Sequence, residues 1–185
     1  MRSPFRRLVH WGPLSSMAIC ISITIANMTT GVGLLTSLMF QFTMSLCLYN
    51  MWCATLLGPG YYTSAVLSAE HDGNNDQGRM NQDQGEQQSG SVTALTGRFC
   101  RRCCQIVLNK HHHCPWINNC VGHNNDGYFI RFLIFGMVAS IQSMLILGLD
   151  TYQRYLIKTY NLFNVFNIGL SFGVLLSLST LLYMH

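Results

Sequence analysis

The chain has 185 residues and a formal net charge of +4; 49% of its residues are hydrophobic and only 10% are charged. A soluble globular domain carries about 25% charged residues, so this composition indicates a membrane protein. The basic residues form no stripe along an amphipathic segment, which argues against nucleic acid as a partner.

The first half of the chain contains a long apolar segment. No Lys, Arg, Asp or Glu occurs between Arg7 and Glu70. We predict two transmembrane helices within residues 12–57, because about 20 apolar residues suffice for one crossing. Residues 29–31 are weak helix formers and would separate the two helices. Residues 1–11 would form a short cytosolic N-terminus.

A polar segment follows the second predicted helix. Gly58-Pro59-Gly60 ends that helix, since proline lacks an amide hydrogen and glycine permits turn geometry. From there to residue 97 the chain is rich in Asn, Asp, Gln, Gly and Ser. We therefore predict a flexible cytosolic linker over residues 58–97.

Two further apolar segments lie at residues 128–149 and 162–185. We predict that both are transmembrane helices and that a lumenal loop at residues 150–161 joins them. The alternative, buried helices of a soluble protein, is disfavoured because the chain has four such segments. The predicted fold class is an all-α multi-pass membrane protein with four transmembrane helices and a small Cys-rich segment, residues 98–127, between spans 2 and 3.

The basic residues indicate the orientation of the chain in the membrane. Four spans put both termini and the Cys-rich segment on one side. That side holds Arg2, Arg6, Arg7, Arg79, Arg98, Arg101, Arg102, Lys110 and Arg131. The opposite side holds only Arg154 and Lys158. Because cytosolic loops carry the excess of Lys and Arg, the Cys-rich segment should face the cytosol.

The Cys-rich segment has the spacing of a metal site. Five of the eight cysteines lie between Cys100 and Cys120. In a reducing cytosol these would be thiolates or metal ligands and not disulfides. Cys100 and Cys103 form a Cys-x2-Cys pair that presents two thiolates to one ion, and a later His and Cys can complete a tetrahedral zinc site.

A run of three histidines precedes another cysteine, Cys114. Neighbouring side chains point apart, so the three histidines cannot easily bind one ion, and at least one should serve another purpose. Cys114 would then be a thiol with a base at hand, as in nucleophilic catalysis. The alternative is a purely structural zinc site in which the histidine run has no chemical role.

This segment resembles the signature of the Asp-His-His-Cys protein palmitoyltransferases. The matching residues are His112-His113-Cys114-Pro115-Trp116, Asn119-Cys120, Gly122 and Asn125. Gly58-Pro59-Gly60 is similar to the Asp-Pro-Gly element of that family. His10-Trp11-Gly12-Pro13 is similar to the start of an endoplasmic-reticulum member. The resemblance covers nearly the whole chain and implies an endoplasmic-reticulum membrane location, with the Golgi as the alternative.

The resemblance implies a role for each matching residue. Cys114 corresponds to the nucleophile that takes palmitate from palmitoyl-CoA as a thioester and passes it to a cysteine of a substrate protein. His112 corresponds to the general base, and Trp116 would pack against the acyl chain. The implied ligands of one structural zinc ion are Cys100, Cys103, His113 and Cys120.

The chain also departs from the family pattern. His111 occupies the position of the family's Asp, which orients the base and stabilises its protonated form. The ligands of a second zinc ion are missing, with Phe99 and Ile106 at two of their positions, so we predict one zinc ion. The family's Thr-Thr-x-Glu element and tail have no counterpart before His185, which suggests a fragment or a degenerate paralogue.

The leading hypothesis is therefore a protein S-palmitoyltransferase that works in the lipid bilayer on cysteine-containing proteins. The alternative is a catalytically impaired, zinc-containing membrane adaptor, which His111 and the missing zinc ligands favour. A zinc transporter is disfavoured, because the predicted spans carry no charged residue beyond Arg131.

Overall fold

The computed structural model describes residues 9–31, 33–61, 97–159 and 161–185. Its helices are α1 (Trp11–Met28), α2 (Leu34–Leu56), α3 (Asp126–Leu156) and α4 (Leu162–Tyr183). Its strands are β1 (Gly97–Cys100), β2 (Gln105–Leu108), β3 (His112–Cys114) and β4 (Asn119–Val121). The described part is mostly helical, as predicted, but the all-α class needs correction because the Cys-rich segment forms two small antiparallel sheets.

Within the described residues, three helices are long and apolar enough to cross a membrane by length and composition, namely α1, α3 and α4. Helix α2 has 23 residues but includes polar side chains such as Gln41 and Asn50. The count of four spans and the cytosolic side of the Cys-rich segment remain predictions. Most of the predicted linker falls on residues 62–96, which lie outside the described residues, as do residues 1–8.

Helix α3 has 31 residues and continues beyond the predicted span. Residues 150–156, which the sequence placed in a loop, are helical. The carboxylate of Asp150 is buried and accepts hydrogen bonds from Arg154 Nε at 2.7 Å and from Asn164 Nδ2 at 2.8 Å. These partners compensate for burying the charge, so the helix does not have to end where the charged residues begin.

The main core lies where α3 packs between α2 and α4. It contains Met51 of α2, Phe129 and Leu133 of α3, and Leu178 of α4. A Cβ on Gly136 of α3 would lie 2.7 Å from the Leu178 side chain. The small residue therefore allows the close approach of α3 and α4 that is typical of helices packed in membranes.

Each of the two sheets is a two-stranded hairpin, and both lie between α2 and α3 in the sequence. In the first, β1 pairs with β2, and Phe99 is opposite Ile106. In the second, β3 pairs with β4, and His113 is opposite Cys120. Asn118, in the turn of this second hairpin, has a φ of 46°, a conformation that asparagine tolerates better than most residues.

The N-terminal end of α1 lies against the turn that follows β3. The Gly12 backbone is so close that a Cβ there would overlap the Pro115 carbonyl oxygen. The rings of Trp11 and Trp116 meet edge to face with centroids 5.7 Å apart. Helix α1 therefore helps to hold the segment that contains Cys114.

Candidate functional site

Strand β3 separates the candidate residues onto two faces. Successive side chains of a strand point to opposite sides, so His113 faces one way while His112 and Cys114 face the other. His113 joins the cysteine cluster, whereas Cys114 faces a cavity between the helices. One short strand thus divides the histidine run between two different sites.

The first site brings together the four predicted zinc ligands, Cys100, Cys103, His113 and Cys120. The Nδ1 atom of His113 lies 3.8 Å from Cys100 Sγ, 3.4 Å from Cys103 Sγ and 3.5 Å from Cys120 Sγ. The sulfur atoms of Cys103 and Cys120 are 3.5 Å apart. Cys100 and Cys120 are buried, and Cys103 and His113 are half-buried.

These separations fit one tetrahedral ion. Bonds of about 2.0–2.3 Å to a central zinc give distances of about 3.3–3.8 Å between its ligands, and three thiolates with one imidazole are a common structural zinc set. This cluster could therefore hold a metal ion. Cys104 lies outside it, is exposed, and donates to the Arg101 carbonyl at 3.3 Å. None of the eight cysteines forms a disulfide.

Two asparagines attach the second hairpin to the end of α2. Asn119 Nδ2 donates to the carbonyl oxygens of Ala54, Thr55 and Leu57 at 3.1, 3.2 and 2.7 Å. Asn125 Nδ2 donates to the Ala54 carbonyl at 3.1 Å. Because the last carbonyls of a helix have no partner within the helix, these amides cap α2 and fix the hairpin to it.

Cys114 and Trp116 line the same cavity, which has a volume of about 370 Å³. Helices α1, α2, α3 and α4 supply the remaining lining, and apolar side chains such as Ile23, Met44 and Leu170 make up most of it. The cavity therefore runs from the Cys114 thiol into the apolar space between the helices.

The Cys114 side chain is 1% exposed. Burial raises the pKa of its thiol above the ordinary value of 9.0, while the backbone amides of Ile117 and Trp116 act in the opposite direction. The group is therefore a thiol at neutral pH. It requires a base to become a nucleophile.

His112 is half-buried and meets the Phe129 ring edge to face, with centroids 5.3 Å apart. Burial lowers the pKa of its imidazole below 6.5, as do the neighbouring His185 and His111, whereas Asp126 raises it. The imidazole is therefore neutral at pH 7 and can accept a proton. Its Nε2 atom is buried and has no hydrogen-bond partner among the described residues.

His112 lines a second cavity, of about 590 Å³, which shares Leu181 with the lining of the helix cavity. Arg98, Lys110 and His111 also line it. The cavity is therefore basic. Lys110 Nζ donates to the Phe99 carbonyl at 3.2 Å, which holds the ammonium group at the edge of the first hairpin.

His111 is exposed and stacks on His185 with ring centroids 4.4 Å apart. Its Nε2 atom lies 3.8 Å from Asp126 Oδ1, and His185 Nε2 lies 2.8 Å from the same oxygen. Sequence reasoning did not identify Asp126 or His185 as members of the site. Asp126 could have been found, because it is the acidic first residue of a helix directly after Asn125. His185 could not, because its position depends on the packing of α4.

Phe99 and Ile106, where the sequence resemblance predicts that ligands of a second zinc ion are replaced, are cross-strand partners on the first hairpin. Their side chains are 59% and 44% exposed. Neither side chain can bind a metal ion, so the first hairpin carries an exposed apolar pair.

A family model described as DHHC palmitoyltransferase matches residues 80–185. Probable protein S-acyltransferase 15 of Arabidopsis thaliana is 30% identical over 167 residues, which are 86% of this chain and 64% of that protein. Palmitoyltransferase ZDHHC3 of Homo sapiens is 41% identical over 58 residues, which are 31% of this chain and 19% of that protein. The chain thus spans less than two thirds of the length of these relatives.

Proposed function

Because this chain belongs to the DHHC palmitoyltransferase family, we propose that it is a protein S-acyltransferase that moves palmitate from palmitoyl-CoA through a Cys114 thioester to cysteines of substrate proteins. One observation carries the proposal: the buried Cys114 thiol lies at the wall of an apolar cavity between the helices. An adaptor has no need of such an arrangement.

The cavity between the helices suits the acyl chain. Its lining is mostly apolar and includes both Trp116 and Cys114. Burying about fifteen methylene groups at roughly 0.8 kcal/mol each favours a long-chain donor strongly. The thioester carbonyl of the donor would then lie at the Cys114 sulfur atom.

The basic cavity suits the other end of the donor. CoA carries several phosphate groups, and Arg98 and Lys110 present positive charge beside His112. Guanidinium and ammonium groups are common phosphate ligands. With the phosphates in this cavity and the chain among the helices, the donor would extend from one cavity to the other past Leu181, which lines both.

The transfer takes two steps. In the first, His112 takes the thiol proton of Cys114, and the resulting thiolate attacks the thioester carbonyl of palmitoyl-CoA. CoA then leaves as a thiolate and receives the proton from the His112 imidazolium. In the second, His112 takes the proton of the incoming substrate thiol, whose sulfur attacks the Cys114 thioester. The Cys114 thiolate then leaves and takes that proton. His111 replaces the carboxylate that would orient His112 and stabilise its protonated form.

We assign one structural zinc ion to Cys100, Cys103, His113 and Cys120. Zinc bound there contributes folding free energy to the segment and takes no part in the transfer. Because His113 and Cys114 are adjacent in β3, the ion would fix the position of the nucleophile.

The proposed location is the endoplasmic-reticulum membrane, with the Golgi as the alternative, and the Cys-rich segment in the cytosol. The excess of basic residues on that side and the opening His10-Trp11-Gly12-Pro13 support this assignment. Partners are then the bilayer, palmitoyl-CoA and proteins with accessible cysteines.

The test uses the purified full chain in detergent with palmitoyl-CoA, and the readout is an acyl adduct that hydroxylamine releases. Cys114→Ser should abolish the adduct and leave the zinc content unchanged. Cys104→Ser is the matched control, because this exposed cysteine lies outside both sites. If the parent forms no adduct, or if the adduct survives the loss of Cys114, the catalytically impaired adaptor replaces the enzyme.

A further inference from the structure

A second group of potential metal ligands lies beside the zinc cluster. It consists of His111, Asp126 and His185, whose ligand atoms all lie within 4.8 Å of one another. The Nε2 atoms of both histidines point to the same carboxylate oxygen, at 3.8 Å for His111 and 2.8 Å for His185. No residue of this group belongs to the four-ligand cluster.

The environment of the group permits an ion to enter. His111 lines the basic cavity of about 590 Å³, and so does His185. The His185 side chain is only 8% exposed, and its Nδ1 atom is buried without a hydrogen-bond partner in the described part of the chain. The imidazole is therefore held in place facing the carboxylate, with little freedom to turn towards solvent.

The donor types select the class of ion. Two imidazole nitrogens with one carboxylate oxygen bind divalent transition metals such as Zn²⁺ or Co²⁺, whereas Mg²⁺ and Ca²⁺ prefer oxygen ligands alone. Three protein ligands leave at least one coordination position for water. Arg98 lines the same cavity and repels a cation, so an ion here should exchange more readily than the ion held by three thiolates.

We propose that His111, Asp126 and His185 form an exchangeable binding site for a divalent transition metal, separate from the structural zinc and adjacent to the base His112. The ion replaces the hydrogen bond between His185 and Asp126 with two coordination bonds and adds His111 as the third ligand.

The test measures metal binding and does not depend on acyl transfer, so its outcome is independent of the proposed function. The full chain in detergent is dialysed against a weak chelator until one zinc ion per chain remains, and Co²⁺ is then added. We expect one equivalent of Co²⁺ to bind per chain. The bound ion should give visible absorption bands but should lack the charge-transfer band that a cobalt ion bound by cysteine thiolates produces.

Asp126→Asn and His111→Phe should each lower the affinity for this Co²⁺ ion by roughly tenfold or more. The phenylalanine keeps an aromatic ring stacked on His185, and retention of the structural zinc in each variant shows that the segment is folded. His123→Ala is the matched control, because His123 is an exposed histidine of the same segment outside the group. Binding of no second equivalent, or equal binding by parent and both variants, overturns the proposal.

Discussion

The side-chain amide of Asn119 donates a hydrogen bond of 2.7 Å to the backbone carbonyl of Leu57, the residue that follows the last residue of α2. Two more carbonyls of that helix end accept from the same amide group. The hairpin that carries Cys114 is thus attached to the helix bundle by a side chain with no role in the proposed chemistry.

Asn119→Ala should therefore destabilise the attachment of the hairpin. The substitution leaves buried carbonyl groups without a donor, which costs about 1–3 kcal/mol. Thermal unfolding in detergent and loss of zinc on mild heating would report the change. Asn124→Ala, at an exposed asparagine of the same segment, should change neither measurement. An equal effect of both variants would contradict the anchoring role.

The zinc content after dialysis against a chelator should be one ion per chain, because Cys100, Cys103, His113 and Cys120 form one complete set of ligands. Cys120→Ser should release that ion and unfold the segment, since a structural zinc contributes binding energy directly to folding. Metal analysis and protease sensitivity would show both effects. A Cys120→Ser protein that keeps its zinc would refute the assignment of ligands.

The rate of acyl-adduct formation should depend on pH through His112. Burial lowers the pKa of that imidazole below 6.5, so the base loses its proton as pH rises through a midpoint below 6.5 and the rate should reach a plateau near neutrality. Burial raises the pKa of the Cys114 thiol above 9.0, so the thiol itself does not ionise in this range.

His112→Ala should remove the plateau and lower the rate at pH 7 by a factor of roughly 10²–10⁴. The loss should become smaller above pH ~9, because hydroxide in solution then deprotonates the Cys114 thiol. Initial rates of adduct formation across the pH range provide the measurement. A parent and a His112→Ala variant with parallel profiles would exclude His112 as the base.

Restoring a carboxylate by His111→Asp should raise the rate of adduct formation. A carboxylate next to the base fixes its tautomer and stabilises the imidazolium, and the corresponding loss in a serine-protease triad costs about 10⁴ in rate. The gain here should be smaller, because a cysteine depends less on its base than a serine does. Burst kinetics with palmitoyl-CoA would measure it, and a rate equal to or below that of the parent would contradict this account.

Gly12→Ala should disturb the turn that directly follows Cys114, because the new Cβ would overlap the Pro115 carbonyl oxygen, a backbone atom that cannot turn away. We expect a lower melting temperature and slower adduct formation. Gly31→Ala is the matched control, since nothing lies within 4 Å of a Cβ at that position. Equal behaviour of the two variants would show that the contact does not matter.

Half of the four-ligand cluster could be predicted from local sequence, because Cys100 and Cys103 form a Cys-x2-Cys pair. The choice of His113 and Cys120 among the later histidines and cysteines came from the family resemblance, and the structure brings these two residues to the pair. The two hairpins could not be predicted, since strands of three or four residues leave no periodic pattern. The group of His111, Asp126 and His185 depends on where α4 ends relative to α3, and that packing is a long-range property.

The opposite orientation of neighbouring side chains in β3 has a consequence for the length of the chain. A single residue inserted or deleted within β3 would break this alternation, turning either His113 away from the cysteines or Cys114 away from the apolar cavity. Many substitutions along this strand would each affect one site. A change of length would displace one of these residues even where every residue type is kept, so this strand should tolerate changes of residue type better than changes of length.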